Sequence, residues 1–318
     1  MTSPQREAHG TAGTNAPDVP VPPEVPGVRH RYVDTGRLRT HVAEAGAGPP
    51  VLLLHGWAQH WYMWRHIMPL LSDSHRLIAV DLRGAGWTDA PRSGYRTADL
   101  VDDLRALLDT LGLDRVALVG HDRGAALAFQ LALDDPDRVS HVVALNELHP
   151  YNDVRRVARN AWRYLWTPFV ETPLVGRFVL KHVPSFTRTW LRLGVADRAS
   201  MPADAVAAYV DMLRRPDLAR AGEQLMYQFA YHEFIPMLRH PETRRLRPPA
   251  LLLAGGADRF TPPAMLGDAT TQAPQLRVEV VDNAGHHLPE ERPELVAARI
   301  REHLRLPSAD QSRPRRPT

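Results

Sequence analysis

The chain has 318 residues, of which 44% are apolar and 24% charged, and 39 basic against 36 acidic side chains give a formal net charge of +3. That length and balance suit two ordinary domains, or one large α/β domain with an insertion, and suffice to bury a full core. There is no cysteine, which excludes disulfides, thiolate zinc sites, iron–sulfur clusters and cysteine nucleophiles, and no apolar run approaches the roughly 18 residues that span a bilayer.

The positive charge is almost wholly arginine, Lys181 being the single lysine. Acids are interspersed with it, as in Asp102–Asp103–Leu104–Arg105 and Glu290–Glu291–Arg292. A nucleic-acid groove needs a stripe of one sign, and the densest basic run, from Arg313 to Arg316, sits in a Pro-rich tail, so no nucleic-acid partner is expected. The polar start MTSPQREAHG lacks the apolar stretch of a secretory signal, which makes a cytoplasmic location the expectation. No metal or cofactor is called for, and a homodimer is left open.

Taken in order, residues 1–27 hold prolines at 4, 17, 20, 22, 23 and 26 and no apolar period. They read as a disordered tail, as does 307–318. Segments 28–34 and 38–44 read as a hairpin around Thr35–Gly36. Six short apolar runs bounded by turn residues follow, at 51–54, 77–80, 116–120, 139–145, 250–254 and 278–281. Runs so short, with helical patterns between them, fit buried parallel strands. Helical spacing shows at Leu100, Leu104, Leu107, Leu108 and Leu111, at Leu127 and Leu131, and at Val296, Ile300 and Leu304. The alternation predicts a doubly wound, mostly parallel, eight-stranded α/β sheet. It breaks over 149–249, a helical, aromatic-rich stretch without a convincing strand. The expected organisation is therefore a core of 28–148 and 250–306 with an all-helical cap of 149–249 set over the strands' C-terminal ends, where open α/β sheets bind ligands.

The most informative segment is Val116–Ala–Leu–Val–Gly–His–Asp–Arg–Gly124, a strand, a G-x-D-x-G turn and a helix of small residues. A strand turning that sharply into a helix strains its middle residue, and Gly120 and Gly124 permit the close backbone approach. Asp122 would stand at the helix N-terminus, where free N–H groups favour an anion. The pattern is the nucleophile elbow G-x-S-x-G with aspartate in place of serine. An N-capping aspartate on an ordinary turn would look the same, but three further features accompany it. His55–Gly56–Trp57 follows a strand, as do Asp258 and His286, and all three lie just past predicted strand ends.

The stretches HGWAQHWYMWRHIMPLL (55–71), DLRGAGWTDAP (81–91), VGHDRG (119–124) and AGHHLPEERPE (284–294) resemble the α/β-hydrolase superfamily, in its aspartate-nucleophile branch of epoxide hydrolases and dehalogenases. The resemblance runs from about residue 28 to 304. It implies Asp122 as nucleophile, Asp258 as charge partner and His286 as base, with Trp57 and Arg123 backbone N–H groups as the oxyanion hole. The neighbouring His287 is expected to be a cap contact or exposed. Glu147 is the alternative acid, although Asn146 holds the register some dehalogenases use.

The chain departs from the family in places. Ala58 replaces the proline of H-G-x-P. Arg123 and Trp57 stand where haloalkane dehalogenases carry halide donors. Fluoroacetate dehalogenases clamp carboxylate with two arginines, and here the second position is Ala126. Epoxide opening needs donors for the developing alkoxide. By spacing, Tyr231 and Trp166 occupy the cap-donor places, with Tyr151, Tyr164, Tyr209 and Tyr227 as other candidates. The expected function is an epoxide hydrolase acting on an apolar small molecule; the alternatives are a haloacid or haloalkane dehalogenase and a non-catalytic ligand-binding homologue.

Overall fold

The computed structural model describes residues 19–151, 153–234, 236 and 242–307. Eight strands form one sheet: β1 (Arg29–Asp34), β2 (Arg39–Ala45), β3 (Pro50–Leu54), β4 (Arg76–Val80), β5 (Val116–His121), β6 (Val139–Leu145), β7 (Ala250–Gly255) and β8 (Leu276–Val281). Their spatial order is β1-β2-β4-β3-β5-β6-β7-β8. The β1–β2 and β2–β4 pairs are antiparallel and the rest parallel, so the hairpin is an antiparallel edge on a doubly wound sheet.

Successive strand residues serve opposite faces. Leu52, Leu54, Ile78, Leu118 and Val142 pack with helices α2 (Thr97–Thr110) and α3 (Arg123–Asp134). Val51, Leu53, Leu77, Val119 and Val143 face the opposite way, onto α1 (Ile67–Leu71) and the final helix Pro293–Leu304. Both layers are dry, which is why the strand sequences are continuous apolar runs rather than alternating ones. β8 departs from that expectation: Val278 and Val280 are each 47% exposed. It is the last strand of the sheet, and its apolar residues are not all covered by a helix layer.

Between β6 and β7 the described residues form helices joined by loops, with no strand: α4 (Val154–Arg159), α5 (Pro168–Glu171), α6 (Val175–His182), α7 (Pro184–Gly194), α8 (Ala203–Leu213), α9 (Pro216–Tyr227) and a π-helical turn, Gln228–Phe234. One strut between this layer and the core is ionic. Arg65, Tyr209 of α8 and Glu290 are buried together, with Arg65 Nη1 at 2.7 Å and the Tyr209 hydroxyl at 2.6 Å from Glu290 Oε1. Of the two expected tails, 1–18 and 308–318, with the Arg313 run, lie outside the described residues. Residues 19–27 touch the core: Trp87 Nε1 donates to the Pro20 carbonyl and Val25 packs against the apolar cluster.

Candidate active site

β5 passes directly into α3 through Asp122, whose φ of 48° and ψ of −123° lie outside the ordinary regions for a non-glycine residue. The turn is feasible because both flanking glycines are pressed by backbone. A Cβ on Gly120 would collide with the Gly124 carbonyl, and one on Gly124 with the Leu54 carbonyl. Asp122 is thereby raised from the strand end to face the cap.

Its carboxylate meets groups from two other loops. The Trp57 N–H donates to Asp122 Oδ1 at 2.8 Å. Ala58, next in that loop, has φ 65°, an angle proline cannot take, so the loop turns differently from an H-G-x-P loop while its N–H still reaches the carboxylate. The Arg123 N–H opens α3 and is one of the unpaired donors of a helix start. His286 Nε2 lies 3.3 Å from Asp122 Oδ2, and its Nδ1 lies 2.9 Å from Asp258 Oδ2.

Asp258 is held from all sides. Phe260 and Thr261 N–H groups donate to Oδ1 at 2.8 and 3.0 Å, and Asn146 Nδ2 donates to Oδ2 at 2.9 Å. The His286 backbone is pinned as well: its N–H donates to the Gly194 carbonyl of the cap at 2.6 Å, and His121 Nε2 donates to its carbonyl at 2.7 Å. His287, fully buried, packs on Trp190 of the cap with ring centroids 5.6 Å apart.

The charges follow from this packing. Burial disfavours the His286 imidazolium, but the Asp258 and Asp122 carboxylates outweigh it and push its pKa up to about 10. Burial likewise penalises the charged carboxylates, yet hydrogen bonding and attraction to His286 hold Asp122 and Asp258 below the usual range. These shifts favour an Asp122 carboxylate paired with a His286 imidazolium in the resting site. Glu147, weighed from the sequence as the acid, does not meet His286; Asn146 supports Asp258, and Glu147 lines the cavity instead.

That cavity, about 630 Å³, lies over Asp122 and His286 with walls that include Phe129, Trp190, Leu225, Phe229 and Phe234. Trp166 lines it, with a buried indole N–H that has no partner among the described residues; Trp57 and Trp190 are in the same condition. Tyr231 reaches the wall from the π-helical turn, 47% exposed, its ring 5.2 Å from Tyr227. Of the other cap tyrosines, Tyr164 also lines the cavity. Tyr209 is committed to Glu290, and Tyr151 donates to the Arg244 carbonyl at 2.9 Å.

Arg123 is not free. Its Nη2 lies 2.7 Å from Glu233 Oε2 and donates to Thr97 Oγ1 at 2.6 Å, over the Phe229 ring. Sequence reasoning passed over Glu233; an acid in a cap segment gives no local sign that it will meet an arginine 110 positions earlier. The described residues hold no group of three potential metal ligands, and none of their helices is long and apolar enough to cross a membrane.

The α/β-hydrolase fold family matches residues 49–293. The chain belongs to that family. This α/β-hydrolase is 31% identical over 281 residues to the soluble epoxide hydrolase of Corynebacterium sp. strain C12, covering 85% of this chain and 94% of that protein. It is 30% identical over 286 residues to epoxide hydrolase 4 of Homo sapiens, covering 84% and 76%. Among solved structures, a Vigna radiata epoxide hydrolase mutant superposes with a TM-score of 0.74 at 26% identity, covering 87% of this chain and 98% of that one. Cfl2 of Burkholderia cenocepacia gives 0.76 at 28%, covering 88% and 96%. This α/β-hydrolase is epoxide-hydrolase-like.

Proposed function

We propose that this α/β-hydrolase opens small apolar epoxides to vicinal diols through a covalent ester on Asp122. The observation that carries the reading is the Asp122 carboxylate raised on the β5–α3 turn, 2.8 Å from the Trp57 N–H and 3.3 Å from His286, and facing a cavity with Phe129, Trp166, Trp190, Phe229 and Phe234 in its walls. A carboxylate displaces oxygen or halide from carbon well; on an ester or amide it would form an anhydride.

Asp122 attacks a ring carbon as the ring C–O bond breaks. Trp166, with its unpaired N–H, and Tyr231, at the cavity wall, donate to the oxygen as its charge develops. Esterification removes the Asp122 charge. The imidazolium loses one of the two carboxylates that stabilise it and its pKa falls; it gives up its proton, which balances the alkoxide formed on ring opening, and neutral His286 becomes a base competent to take a proton from water. Water attacks the ester carbonyl carbon, and the Trp57 and Arg123 N–H groups hold the tetrahedral oxyanion. Asp258 keeps the imidazole oriented throughout.

A second reading is favoured by one observation: Trp57, Trp166 and Trp190 all line the cavity, and their indole N–H groups, buried and without partners among the described residues, would suit a departing halide once turned toward it. Within it, haloacids fit poorly, since Glu233 already compensates Arg123. A single turnover in ¹⁸O-water with enzyme in excess tests the covalent step. Unlabelled diol with one heavy oxygen on the Asp122 peptide is expected; heavy diol at the first turnover refutes the nucleophile. Halide release without diol from a mixed haloalkane and epoxide panel selects the second reading.

A further inference from the structure

Glu147 is a cavity carboxyl that the scheme above does not use. It follows Asn146 at the end of β6, where Asn146 has φ 51°. That turn sends the Asn146 amide beneath Asp258 and leaves Glu147 on the cavity wall with Asp122, Tyr164, Thr261 and His286. Glu147 Oε1 accepts the Leu148 N–H at 2.6 Å. Among the described residues Oε2 has no hydrogen-bond partner and no cation stands at ion-pair distance, the nearby Arg123 being committed to Glu233. The charged and titratable groups around it are Asp122 from the elbow, His286 from the loop after β8, Arg123 from α3 and Tyr164 from the cap. Burial and the Asp122 charge raise its pKa to about 8, against the opposing pull of the Leu148 N–H, His286 and Arg123. Near neutral pH that shift favours its protonated form, on the wall of the cavity that also contains the nucleophile.

We propose that Glu147 holds the proton that the epoxide oxygen takes up when Asp122 opens the ring. The inference rests on the epoxide reading above. As the bond from Asp122 to carbon forms and the ring C–O bond breaks, the Glu147 O–H proton passes to the leaving oxygen, which becomes the first hydroxyl. Asp122 is now a neutral ester, so the new Glu147 carboxylate no longer faces a like charge. The His286 imidazolium, which does not touch Glu147 directly, returns its proton to that carboxylate through a water in the cavity and becomes neutral. It then takes a proton from the attacking water. On collapse of the tetrahedral intermediate the departing alcohol takes that proton, and the carboxylic acid left on Asp122 protonates His286 again. Every group returns to its starting state and one water has been consumed. An acid poised near the working pH is the most effective kind for such a step.

The test is Glu147→Gln, which keeps the shape and a hydrogen-bond donor but has no acidic proton. Alkylation of the enzyme by styrene oxide is followed by stopped-flow tryptophan fluorescence across pH, with adduct mass as a check. Wild-type alkylation should fall as pH rises through about 8. The variant should alkylate roughly 10²–10⁴-fold more slowly below that pH, the range of a general-acid contribution, and lack the alkaline limb. Equal alkylation rates with the same pH profile would overturn the role. Difference infrared spectroscopy of the resting enzyme gives a readout independent of turnover. A protonated-carboxyl stretch at neutral pH, absent from the Gln variant, is expected; its absence from folded wild type would also overturn the role. Wild type that carries the band but forms no styrene oxide adduct would overturn the epoxide reading, and the role with it.

Discussion

Arg123, the residue after Asp122, and Glu233 of the π-helical turn form an ion pair at 2.7 Å that ties the nucleophile elbow to the cap along the cavity wall. Thr97 completes the cluster, its hydroxyl accepting from Arg123 at 2.6 Å and its N–H donating to Glu233. The guanidinium is 8% exposed, so its charge is compensated inside the protein rather than offered to a ligand.

Glu233→Gln should therefore change substrate choice. The unpaired guanidinium would bind a carboxylate in a charge-assisted contact worth about 1.5–3 kcal/mol. The kcat/KM ratio of a glycidate to styrene oxide should rise by roughly 10–100-fold, by the same estimate. Steady-state kinetics on both substrates checks this, and an unchanged ratio would show that Arg123 does not reach the ligand.

His286→Gln should separate the two half-reactions. Attack by Asp122 needs no base, whereas hydrolysis of the ester does. The variant should gain the mass of one epoxide and stall, which intact-protein mass spectrometry reads directly. Full multiple turnover by the variant would remove the base assignment.

Loss of a cap donor should slow alkylation and spare the later step. Trp166→Phe and Tyr231→Phe each remove one donor, and the cost of a lost oxyanion-type donor is roughly 10²–10³-fold in rate. Pre-steady-state alkylation rates decide between the pair. An effect confined to Trp166→Phe would follow the burial of its N–H and the half-exposed position of Tyr231.

Stability should fall with rising pH through the His286 proton. Its folded pKa, about 10, is above the ordinary value of roughly 6.5. Between those two values the native state holds a proton that the unfolded chain releases. The contribution is complete below the lower value and is lost as pH rises through the upper one, with a limiting slope of about 1.4 kcal/mol per pH unit. Urea midpoints at pH values from neutral to alkaline should fall more steeply for wild type than for His286→Gln; parallel curves would contradict the ion pair.

The sheet was legible in the chain because its signals are local. A short apolar run between turn residues reads as a buried strand wherever it lands, and residues just past parallel strand ends share one edge of the sheet. Asp122, Asp258 and His286 could be proposed together on that ground, and the structure brings those three side chains into contact. β8 escaped the rule, since its valines are as apolar as the leucines of β7 and only the final packing leaves Val278 and Val280 half exposed. The cap was not legible at the level of side chains. Tyr151, Tyr164, Tyr209 and Tyr231 are chemically alike in sequence, and a helix offers each an inward or an outward face. Which phenol meets the cavity and which meets Glu290 or a carbonyl depends on how the cap helices settle on the core. The same holds for adjacent Asn146 and Glu147, which the φ of a single residue sends to different tasks, and for Arg123 and Glu233, whose pairing comes from packing between segments 110 residues apart. Strand period and turn chemistry act over a few residues and are written in order along the chain; contacts across a cap are set only when distant surfaces meet.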